Sequence, residues 1–301
     1  MFTAKDYSKS DIKKHNFVAY TLLVGKHDEE RLAISDEIYG PSTRAFLMNS
    51  GLSPGMRILD VGCGPGNISC WLAEQVGLEG SVVGVDISDE SLSVATIKAS
   101  EKNITNVQFM QCTADNLDEI EGNFDMVFCR FLLIHLTDPK HALLSMASKL
   151  KANGILCCEE PTTYTHSCYP KNRFFDKANL LTQQLGNKKG VDYNFGEKIF
   201  SLFQELFNYR ESIKINFFQT PILSQRHKQI FPMSFDQVSK QLLSEHLVTT
   251  EEVEEIKVGL WDFANADSHK YFVCGFRKTQ ISIQVSRNVE AEMSNHNLKV
   301  K

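Results

Sequence analysis

The feature that most constrains the fold is an alternation of short apolar runs and helix-length amphipathic segments between residues 57 and 161. The apolar runs are rich in β-branched residues, and each ends in small or polar residues. This pattern predicts parallel strands joined by crossover helices, because parallel strands are buried on both faces and need long connections. We therefore expect a doubly wound α/β sheet that binds its ligand at the carboxyl ends of the strands.

The segments on either side of this alternation have a less regular pattern. Residues 1–50 are predicted to form helices, broken at Gly40 and Pro41, that precede the core domain as a lid. After the alternation, helical insertions are expected at about residues 162–200 and 221–268, and a last strand-like run, YFVCGFRK, ends the domain at residue 278. Residues 279–301 have few core-forming side chains and are expected to form a tail, which we predict to be mobile.

Composition narrows the class of ligand. The chain has 301 residues, a net charge of −5 and a pI near 6.0, which argues against the basic surface that nucleic-acid binding requires. No apolar segment reaches the roughly 20 residues of a membrane span, and the N-terminus has no apolar signal region. The eight cysteines lack the spacing of a zinc site, so we expect buried thiols in the cytoplasm and no metal.

The stretch ILDVGCGPGN, residues 58–67, joins the first predicted strand to the first helix. Gly62, Gly64 and Gly66 predict a sharp turn whose backbone approaches a ligand closely. A dinucleotide fingerprint would need Gly or Ala at the position of Asn67. Asp60 would repel a pyrophosphate but would suit a ligand that carries an ammonium group.

Two further strand ends suggest what the rest of the ligand contains. Asp86 ends the second strand, at a spacing from the glycines where an acid commonly accepts hydrogen bonds from ribose hydroxyls. It could instead only cap the next helix, although Ser88 or Asp89 serves that purpose better. Ala114 and Asp115 follow the third strand, where they could contact a base. S-adenosylmethionine contains an ammonium, a ribose and a base.

The motifs DVGCGPGN, GVDIS, CTADNLD, FDMVFCRFLLIHLTDP and KANGILCCEEP occur in this order between about residues 50 and 161. Together they resemble the class I S-adenosylmethionine-dependent methyltransferases, especially their small-molecule branch. The resemblance implies a Rossmann-like sheet of seven strands. It assigns SIKINFFQT and YFVCGFRK to the last two strands, and the final one would run antiparallel.

The resemblance also implies roles by position. The methionine part of the cofactor would contact Asp60, Gly62, Cys63, Gly64 and Gly66. Asp86 and Ile87 would bind the ribose and the adenine edge, Ala114 and Asp115 the adenine amine, and Arg130 and Phe131 the floor near the sulfonium. We interpret Cys63 as a packing residue, because the family does not need a thiol there.

Several other polar residues allow more than one assignment. Arg130 lies in an otherwise apolar run, and a buried guanidinium needs a partner. His135 could be a general base or a hydrogen-bonded structural histidine. Glu159 and Glu160 must point to opposite faces of a strand, so at most one reaches the cleft, and Glu160 is our candidate for substrate contact.

Other side chains are assigned to the lid or to loops. Tyr20 and Arg31 are candidates for lid residues that contact cofactor or substrate, although ordinary packing on the sheet explains them equally well. Tyr164 and His166 are expected to be ordinary loop residues.

The sequence favours a small, largely apolar methyl acceptor enclosed by helices. No Asn or Asp followed by Pro-Pro and an aromatic residue occurs after the fourth strand, so the chain does not resemble methyltransferases that act on exocyclic amines of DNA or on protein glutamine. Apolar residues outside the core suggest the pocket lining: Phe17, Tyr20, Leu22, Leu23, Phe174, Phe175, Leu180 and Leu181. The alternatives are a nicotinamide-dependent oxidoreductase, which Asn67 and Asp60 oppose, and a non-catalytic cofactor-binding module. The acceptor, the acceptor atom and the oligomeric state stay open.

Overall fold

A computed structural model describes residues 28–207 and 213–285. The strands in these residues are β1 (Arg57–Val61), β2 (Ser81–Asp86), β3 (Val107–Gln111), β4 (Phe124–Arg130), β5 (Leu150–Thr162), β6 (Ser167–Tyr169), β7 (Lys214–Ile222) and β8 (Phe272–Gln284). The helices are α1 (Glu29–Asn49), α2 (Asn67–Val76), α3 (Asp89–Glu101), α4 (Pro139–Ser148), α5 (Arg173–Lys189), α6 (Ile199–Leu206), α7 (Gln225–Lys228), α8 (Ile230–Ser244) and α9 (Thr250–Asn265). A 3₁₀ turn, Leu133–His135, follows β4.

The described strands form one sheet in the order β3-β2-β1-β4-β5-β8-β6, and β7 also pairs with β8. The first five strands pair in parallel, whereas β8 is antiparallel to β5, β6 and β7. The doubly wound sheet with an antiparallel last strand is therefore confirmed. The additional strand, β6, has only three residues, too few to produce a recognisable alternation in the sequence. Residues 279–284, which we expected in the tail, belong to β8.

The central strands are buried on both faces. Ile58 and Leu59 in β1, Val127 and Phe128 in β4, and Cys157 in β5 all have zero solvent exposure. Helices α1 and α2 pack on one face of the sheet, and α4 and α6 pack on the other. This two-sided cover explains why these strands appear in the sequence as continuous apolar runs.

Local capping residues set the beginnings of the helices. The Asn172 side chain accepts hydrogen bonds from the Phe174 and Phe175 N–H groups and starts α5. Thr249 and Glu252 form a reciprocal capping box at α9. Such side chains satisfy N–H groups that have no partner within the helix, and each typically stabilises a helix by about 1 kcal/mol.

The predicted break at Gly40 and Pro41 is wrong. Helix α1 continues from Glu29 to Asn49 with Pro41 inside it. Proline removes one intrahelical hydrogen bond, but apolar residues on both sides of it are buried, among them Ile34, Ile38, Phe46 and Leu47. Burial along the whole length of the helix offsets the lost bond, and this long-range effect is not visible in the local sequence.

A helical layer covers the carboxyl ends of the strands. Helices α5, α8 and α9 share an apolar core that includes Leu185, Leu242 and Leu260, all fully buried. These helices fall within the two insertions that the sequence predicted. Within the described residues, no helix combines the length and the apolar character needed to cross a membrane.

Candidate functional site

A cavity of about 570 Å³ lies at the carboxyl ends of β1, β2 and β4. Loops that follow these strands form one side of it, and α5 and α8 form the opposite side. Helix α1 contributes a third wall, with lining residues at helical spacing, including Leu32, Ser35 and Tyr39. The cavity therefore spans the edge of the sheet and the helical layer above it. We call its sheet side the donor half and its side between α5 and α8 the acceptor half.

The glycine-rich loop is fixed to the neighbouring strand. The Gly62 and Cys63 N–H groups both donate to the Val85 carbonyl, at 2.8 and 3.0 Å. Gly66 has φ 72°, and a Cβ there would lie 2.8 Å from a side chain of α3. Gly64 has φ 53°, and a Cβ there would meet no atom within 4 Å. The loop thus presents bare backbone to the open space of the cavity.

Asp86 stands at the end of β2, where the sequence placed it. Its Oδ2 accepts a hydrogen bond from the Gly64 N–H, and its Oδ1 accepts one from the Ser88 N–H, both at 2.9 Å. Ser88 is the residue that caps α3, so Asp86 is not needed for that purpose. Each oxygen keeps a lone pair for a hydroxyl group in the cavity. Burial raises the pKa of Asp86 above its usual range.

Asp60 lies deeper and is 2% exposed. The Ser69 hydroxyl donates to its Oδ2 at 2.6 Å. Burial raises the pKa of Asp60 to about 6, so the carboxyl group is mainly ionised at neutral pH. A partly desolvated carboxylate with a free oxygen is well suited to bind an ammonium group.

The adenine side of the predicted site is also assembled. Cys63, Ile87, Ala114 and Asp115 line the same cavity, although they come from three separate loops. Ile87 is 47% exposed, so it offers an apolar surface at the mouth. Burial raises the pKa of the Cys63 thiol well above its usual value, which keeps it neutral and agrees with a packing role.

Arg130 and Phe131 both line the cavity at the end of β4. Arg130 has a partner that the sequence did not predict, since its guanidinium lies 3.3 Å from the Asp36 carboxylate of α1. Phe131 adopts φ 55°, a conformation that is unfavourable for residues with a side chain, and its ring packs edge-on against Tyr39. Strained backbone of this kind is commonly kept at functional sites.

His135 lines the cavity at the end of the 3₁₀ turn. Its ring centroid lies 5.8 Å from that of Tyr193, which also lines the cavity. Burial, with a smaller contribution from the charge of Arg31, lowers the pKa of His135 to about 3. The imidazole is therefore neutral at physiological pH and can accept a proton only as a weak base.

Glu160 requires a correction, because it does not line the cavity as we expected. It is fully buried, and its Oε1 accepts hydrogen bonds from the Leu132 and Leu133 N–H groups at 3.0 and 2.9 Å. Its Oε2 lies 3.4 Å from the Ile134 N–H. Burial raises the pKa of Glu160 to about 8. Glu160 thus holds the backbone of the turn that carries His135 and is a positioning residue.

Glu159 points to the opposite face of β5, as strand alternation requires. Its Oε1 accepts hydrogen bonds from Lys278 Nζ at 3.0 Å and from Thr43 at 2.8 Å, and its Oε2 accepts one from Gln280 at 2.5 Å. Lys278 also donates to Ser42 of α1, at 2.6 Å. This buried network attaches α1, a wall of the cavity, to the sheet.

The two predicted lid residues differ in outcome. Arg31 lines the cavity and forms two hydrogen bonds of 2.5 Å with Asp28, which has no solvent exposure. Its charge is therefore balanced within the wall. Tyr20 lies outside the described residues, as do Phe17, Leu22 and Leu23.

The acceptor half is only partly the one that the sequence predicted. Phe175 lines it, whereas Phe174, Leu180 and Leu181 do not. His166, expected to be an ordinary loop residue, lines the cavity, with its ring centroid 5.0 Å from that of Phe276.

Sequence reasoning also missed several lining residues of the acceptor half, namely Asn179, Thr182 and Gln183 of α5 and Phe231, Ser234 and Phe235 of α8. A signal was present in α5, since Asn179 and Thr182 follow Phe175 at helical spacing.

Comparison with known proteins identifies the family. Residues 52–204 match a family model described as a methyltransferase domain, which is half of the chain. A ubiquinone/menaquinone biosynthesis C-methyltransferase of Idiomarina loihiensis is 33% identical over 145 residues, which cover 47% of this chain and 58% of that protein. An uncharacterized methyltransferase of Schizosaccharomyces pombe is 34% identical over 167 residues, which cover 53% of this chain and 59% of that protein.

Similarity of fold extends further than similarity of sequence. The crystal structure of the YcgJ protein from Bacillus subtilis covers 82% of this chain and 99% of its own, with a TM-score of 0.55 and 18% identity. Given this fold and the family match, the chain belongs to the class I S-adenosylmethionine-dependent methyltransferases. The chain spans about three fifths of the length of the curated relatives that it matches.

The donor half fits S-adenosylmethionine, the cofactor of this family. The space over Gly64 leaves room for a ligand against the loop backbone, and the ionised Asp60 could pair with an ammonium group. Asp86 retains lone pairs for two hydroxyls. Ile87 and Ala114 supply apolar surface for a planar base.

Proposed function

We propose that this protein transfers a methyl group from S-adenosylmethionine to a small, largely apolar molecule. The observation that carries the proposal is the continuity of the cavity, in which the donor half opens into an aromatic acceptor half between α5 and α8. A methyl donor and an apolar acceptor bound in the two halves would lie in contact. Ligand sites of this kind are mostly apolar with a few well-placed polar groups.

The donor half would hold the cofactor through four contacts. Asp86 would accept hydrogen bonds from the ribose hydroxyls, and Asp60 would bind the ammonium of the methionine part. Ile87 would flank the adenine, with Ala114 and Asp115 at its amine. The resemblance to the family assigns these roles, and the lining of one cavity by all these residues supports them.

Arg130 and Phe131 would form the floor near the sulfur. Arg130 shares the Asp36 carboxylate with Arg44, which lies closer to it, and also interacts with the charge of Asp60. Two carboxylates would therefore reduce repulsion between the floor and a cationic donor.

Bound S-adenosylmethionine would supply an electrophilic methyl group on a sulfonium. The chain itself would orient the acceptor and exclude water, because in-line displacement depends mainly on position and on desolvation. His135 would accept a proton at a ring nitrogen if the acceptor arrives protonated. Glu160 would keep that histidine in place by fixing its turn.

The identity of the acceptor is not transferred from the relatives. The Idiomarina protein is named for C-methylation in ubiquinone and menaquinone biosynthesis, but the similarity covers only part of both chains. We therefore leave carbon, oxygen and nitrogen open as the acceptor atom. We also propose a cytoplasmic location, from the unpaired cysteines. The comparisons give no support to the oxidoreductase or to a silent binding module.

Two measurements test the proposal. Calorimetry should show binding of S-adenosylmethionine and S-adenosylhomocysteine in the micromolar range, and NAD should not compete. The protein, incubated with radiolabelled donor and cell extract, should then label a small organic-soluble compound. Donor binding without label in any fraction would favour a silent binding module, and tight NAD binding without donor binding would reject the proposal.

The enclosure of the acceptor has its own test. Hydrogen exchange in residues 165–190, which include α5, and in the part of α1 up to residue 40 should slow when the donor binds. It should slow further with acceptor. Identical exchange in all states would show that these helices do not close over the site.

A further inference from the structure

The polar side chains of the acceptor half fall into two groups, and those of the first group form hydrogen bonds within the protein. In the described residues, the Gln183, Thr163 and Asn194 side chains bond to one another, and the Thr182 hydroxyl donates to the Ala178 carbonyl. These groups are satisfied within the protein.

The side chains of Asn179 and Ser234 form the second group, which has no hydrogen-bond partner in the part of the protein that the structure describes. Both line the cavity, and the structure gives neither side chain a hydrogen bond to any described residue. Polar groups that face an apolar space without a protein partner are available to a ligand.

Because α5 packs against α8, these two residues lie at similar positions along the two helix axes. The Phe175 and Phe231 ring centroids lie 5.0 Å apart near the beginnings of the two helices. Lys188 Nζ lies 3.2 Å from Glu245 at their ends. The helices therefore run parallel, and nearly equal numbers of residues separate the two contact points on each.

Asn179 follows Phe175 by four residues, and Ser234 follows Phe231 by three. Each is therefore one turn beyond the paired rings, since an α-helix has 3.6 residues per turn. Both residues also line the cavity, Asn179 on its α5 wall and Ser234 on its α8 wall.

His166 lies about one turn away, beside the paired rings. Its ring centroid is 5.5 Å from that of Phe231 and 6.1 Å from that of Phe175. Its Nδ1 atom is buried, and the only group that interacts with the ring among the described polar residues is the Thr163 backbone, without good hydrogen-bond geometry. Three polar groups from three elements therefore face one aromatic space.

The part of the cavity wall around this aromatic space carries no net charge. The cavity-lining residues between 161 and 276 include no Asp, Glu, Lys or Arg. Burial lowers the pKa of His166 to about 4, so this side chain is neutral as well. Helix α1 adds Arg31 to the cavity wall, but its charge is paired with Asp28, so a further charged group would be desolvated here without a free counter-ion, which is strongly unfavourable.

We propose that Asn179 and Ser234, with His166 one turn away, form a subsite that binds an uncharged hydroxyl or carbonyl group on an aromatic acceptor. The amide can donate and accept, and the hydroxyl can do both, so the pair suits either oxygen. The surrounding phenylalanines would stack on the ring. This subsite rests on the proposed function, since it selects the molecule that is methylated.

Binding of simple probes tests the subsite without knowledge of the acceptor. We would measure the affinities of 2-naphthol, naphthalene and 2-naphthoate by calorimetry, with the full chain saturated with S-adenosylhomocysteine. The wild type should bind 2-naphthol more tightly than 2-naphthoate. In Ser234→Ala, Asn179→Leu and the double variant, 2-naphthol should weaken, by about tenfold in the double variant, while naphthalene should bind as before or more tightly.

Matched controls are available on the same helices. Asn187→Leu and Ser244→Ala make the same changes at exposed positions outside the cavity, and both should bind all probes as the wild type does. Ser234→Ala removes only one oxygen atom, so it keeps the test valid if Asn179→Leu does not fold.

Three outcomes would overturn the subsite: unchanged 2-naphthol affinity in the double variant, tighter binding of 2-naphthoate than of 2-naphthol, or failure of the wild type to bind 2-naphthol. These outcomes are separable from failure of the proposed function. If S-adenosylhomocysteine does not bind, the function fails. If it binds normally and the probes do not discriminate, only the subsite fails.

Discussion

The two halves of the cavity are built in different ways. The donor half consists of loops that follow neighbouring strands, and its glycine-rich loop is held by backbone hydrogen bonds, as between Gly62 and Val85. The acceptor half consists of side chains from α1, α5 and α8, which are distant in the sequence. Loops at a sheet edge are therefore set by strand order, whereas a wall made of separate helices is set by how those helices pack.

The two halves also differ in charge. Asp60, Asp86 and Arg130 give the donor half ionised groups for a charged cofactor. In the acceptor half, α5 and α8 contribute aromatic rings and neutral polar groups, and the one charged residue from α1, Arg31, is paired with Asp28. We therefore expect substitutions in the donor half to alter cofactor affinity, and substitutions in the acceptor half to alter turnover or acceptor binding.

The largest expected effect is on turnover in His135→Ala, a variant that should change kcat without changing the affinity for the donor. If His135 acts as the base, this variant should lower kcat by about 10²–10⁴. The Kd of S-adenosylmethionine should stay unchanged, because the histidine borders the acceptor. The measurement is turnover at saturating acceptor with calorimetry of donor binding. An undiminished kcat would leave His135 with a structural role, and His141→Ala, at an exposed position, is the matched control.

The next effect concerns α1, which borders both halves. Lys278→Met leaves the fully buried Glu159 without its cation, and breaking a buried pair costs about 3–5 kcal/mol. The free energy of unfolding from urea titration should fall by that amount. Adding Glu159→Gln should recover part of the loss, because the unpaired charge is then absent. Lys102→Met, in an exposed pair, should cost less than about 1 kcal/mol; equal losses at both sites would contradict the importance of burial.

A smaller effect is expected for Asp86→Asn. This change keeps the shape of the side chain but removes the charge that would serve two ribose hydroxyls. Charge-assisted hydrogen bonds contribute about 1.5–3 kcal/mol, so the Kd of S-adenosylmethionine and of its product should rise by about 10–100-fold. Calorimetry provides the measurement, with Asp89→Asn at an exposed position of α3 as control. Unchanged affinity would remove Asp86 from the donor site.

The smallest net effect is expected for pH, because two dependences of opposite sign, one in each half, largely cancel in the wild type. His166 has a folded pKa of about 4 against an ordinary 6.5, so below pH 6.5 the unfolded chain binds a proton that the folded chain does not. Its contribution to stability therefore falls as pH decreases from 6.5 to 4. Asp60, with a folded pKa of about 6 against 3.8, has a contribution that falls as pH rises from 4 to 6. Each slope is about 1.4 kcal/mol per pH unit.

Urea unfolding between pH 4 and 7 measures both slopes. His166→Phe should make the free energy of unfolding less sensitive to acid, and Asp60→Asn should remove part of the decrease between pH 4 and 6. If both variants keep the wild-type pH dependence, the two groups do not titrate as their burial requires.

The sequence by itself determined the sheet and the donor half. Continuous apolar runs indicate strands buried on both faces, and a glycine-rich turn after a strand is a local signal. Since the carboxyl ends of parallel strands meet at one edge, the order of motifs was sufficient to bring Asp60, Asp86 and Ala114 to one cavity. Local pattern and strand order decide such a site, so little long-range packing has to be known.

Only the tertiary structure decided the remaining features. Pro41 continues a helix because packing on the sheet offsets a lost hydrogen bond, and Glu160 serves a turn nearly thirty residues earlier in the chain. Asn179 and Ser234 line one cavity from two helices because α5 packs against α8 at the contacts of Phe175 with Phe231 and of Lys188 with Glu245. Periodicity gives the buried face of each helix but not the neighbour that covers it, because that choice depends on the fit of whole surfaces rather than on adjacent residues.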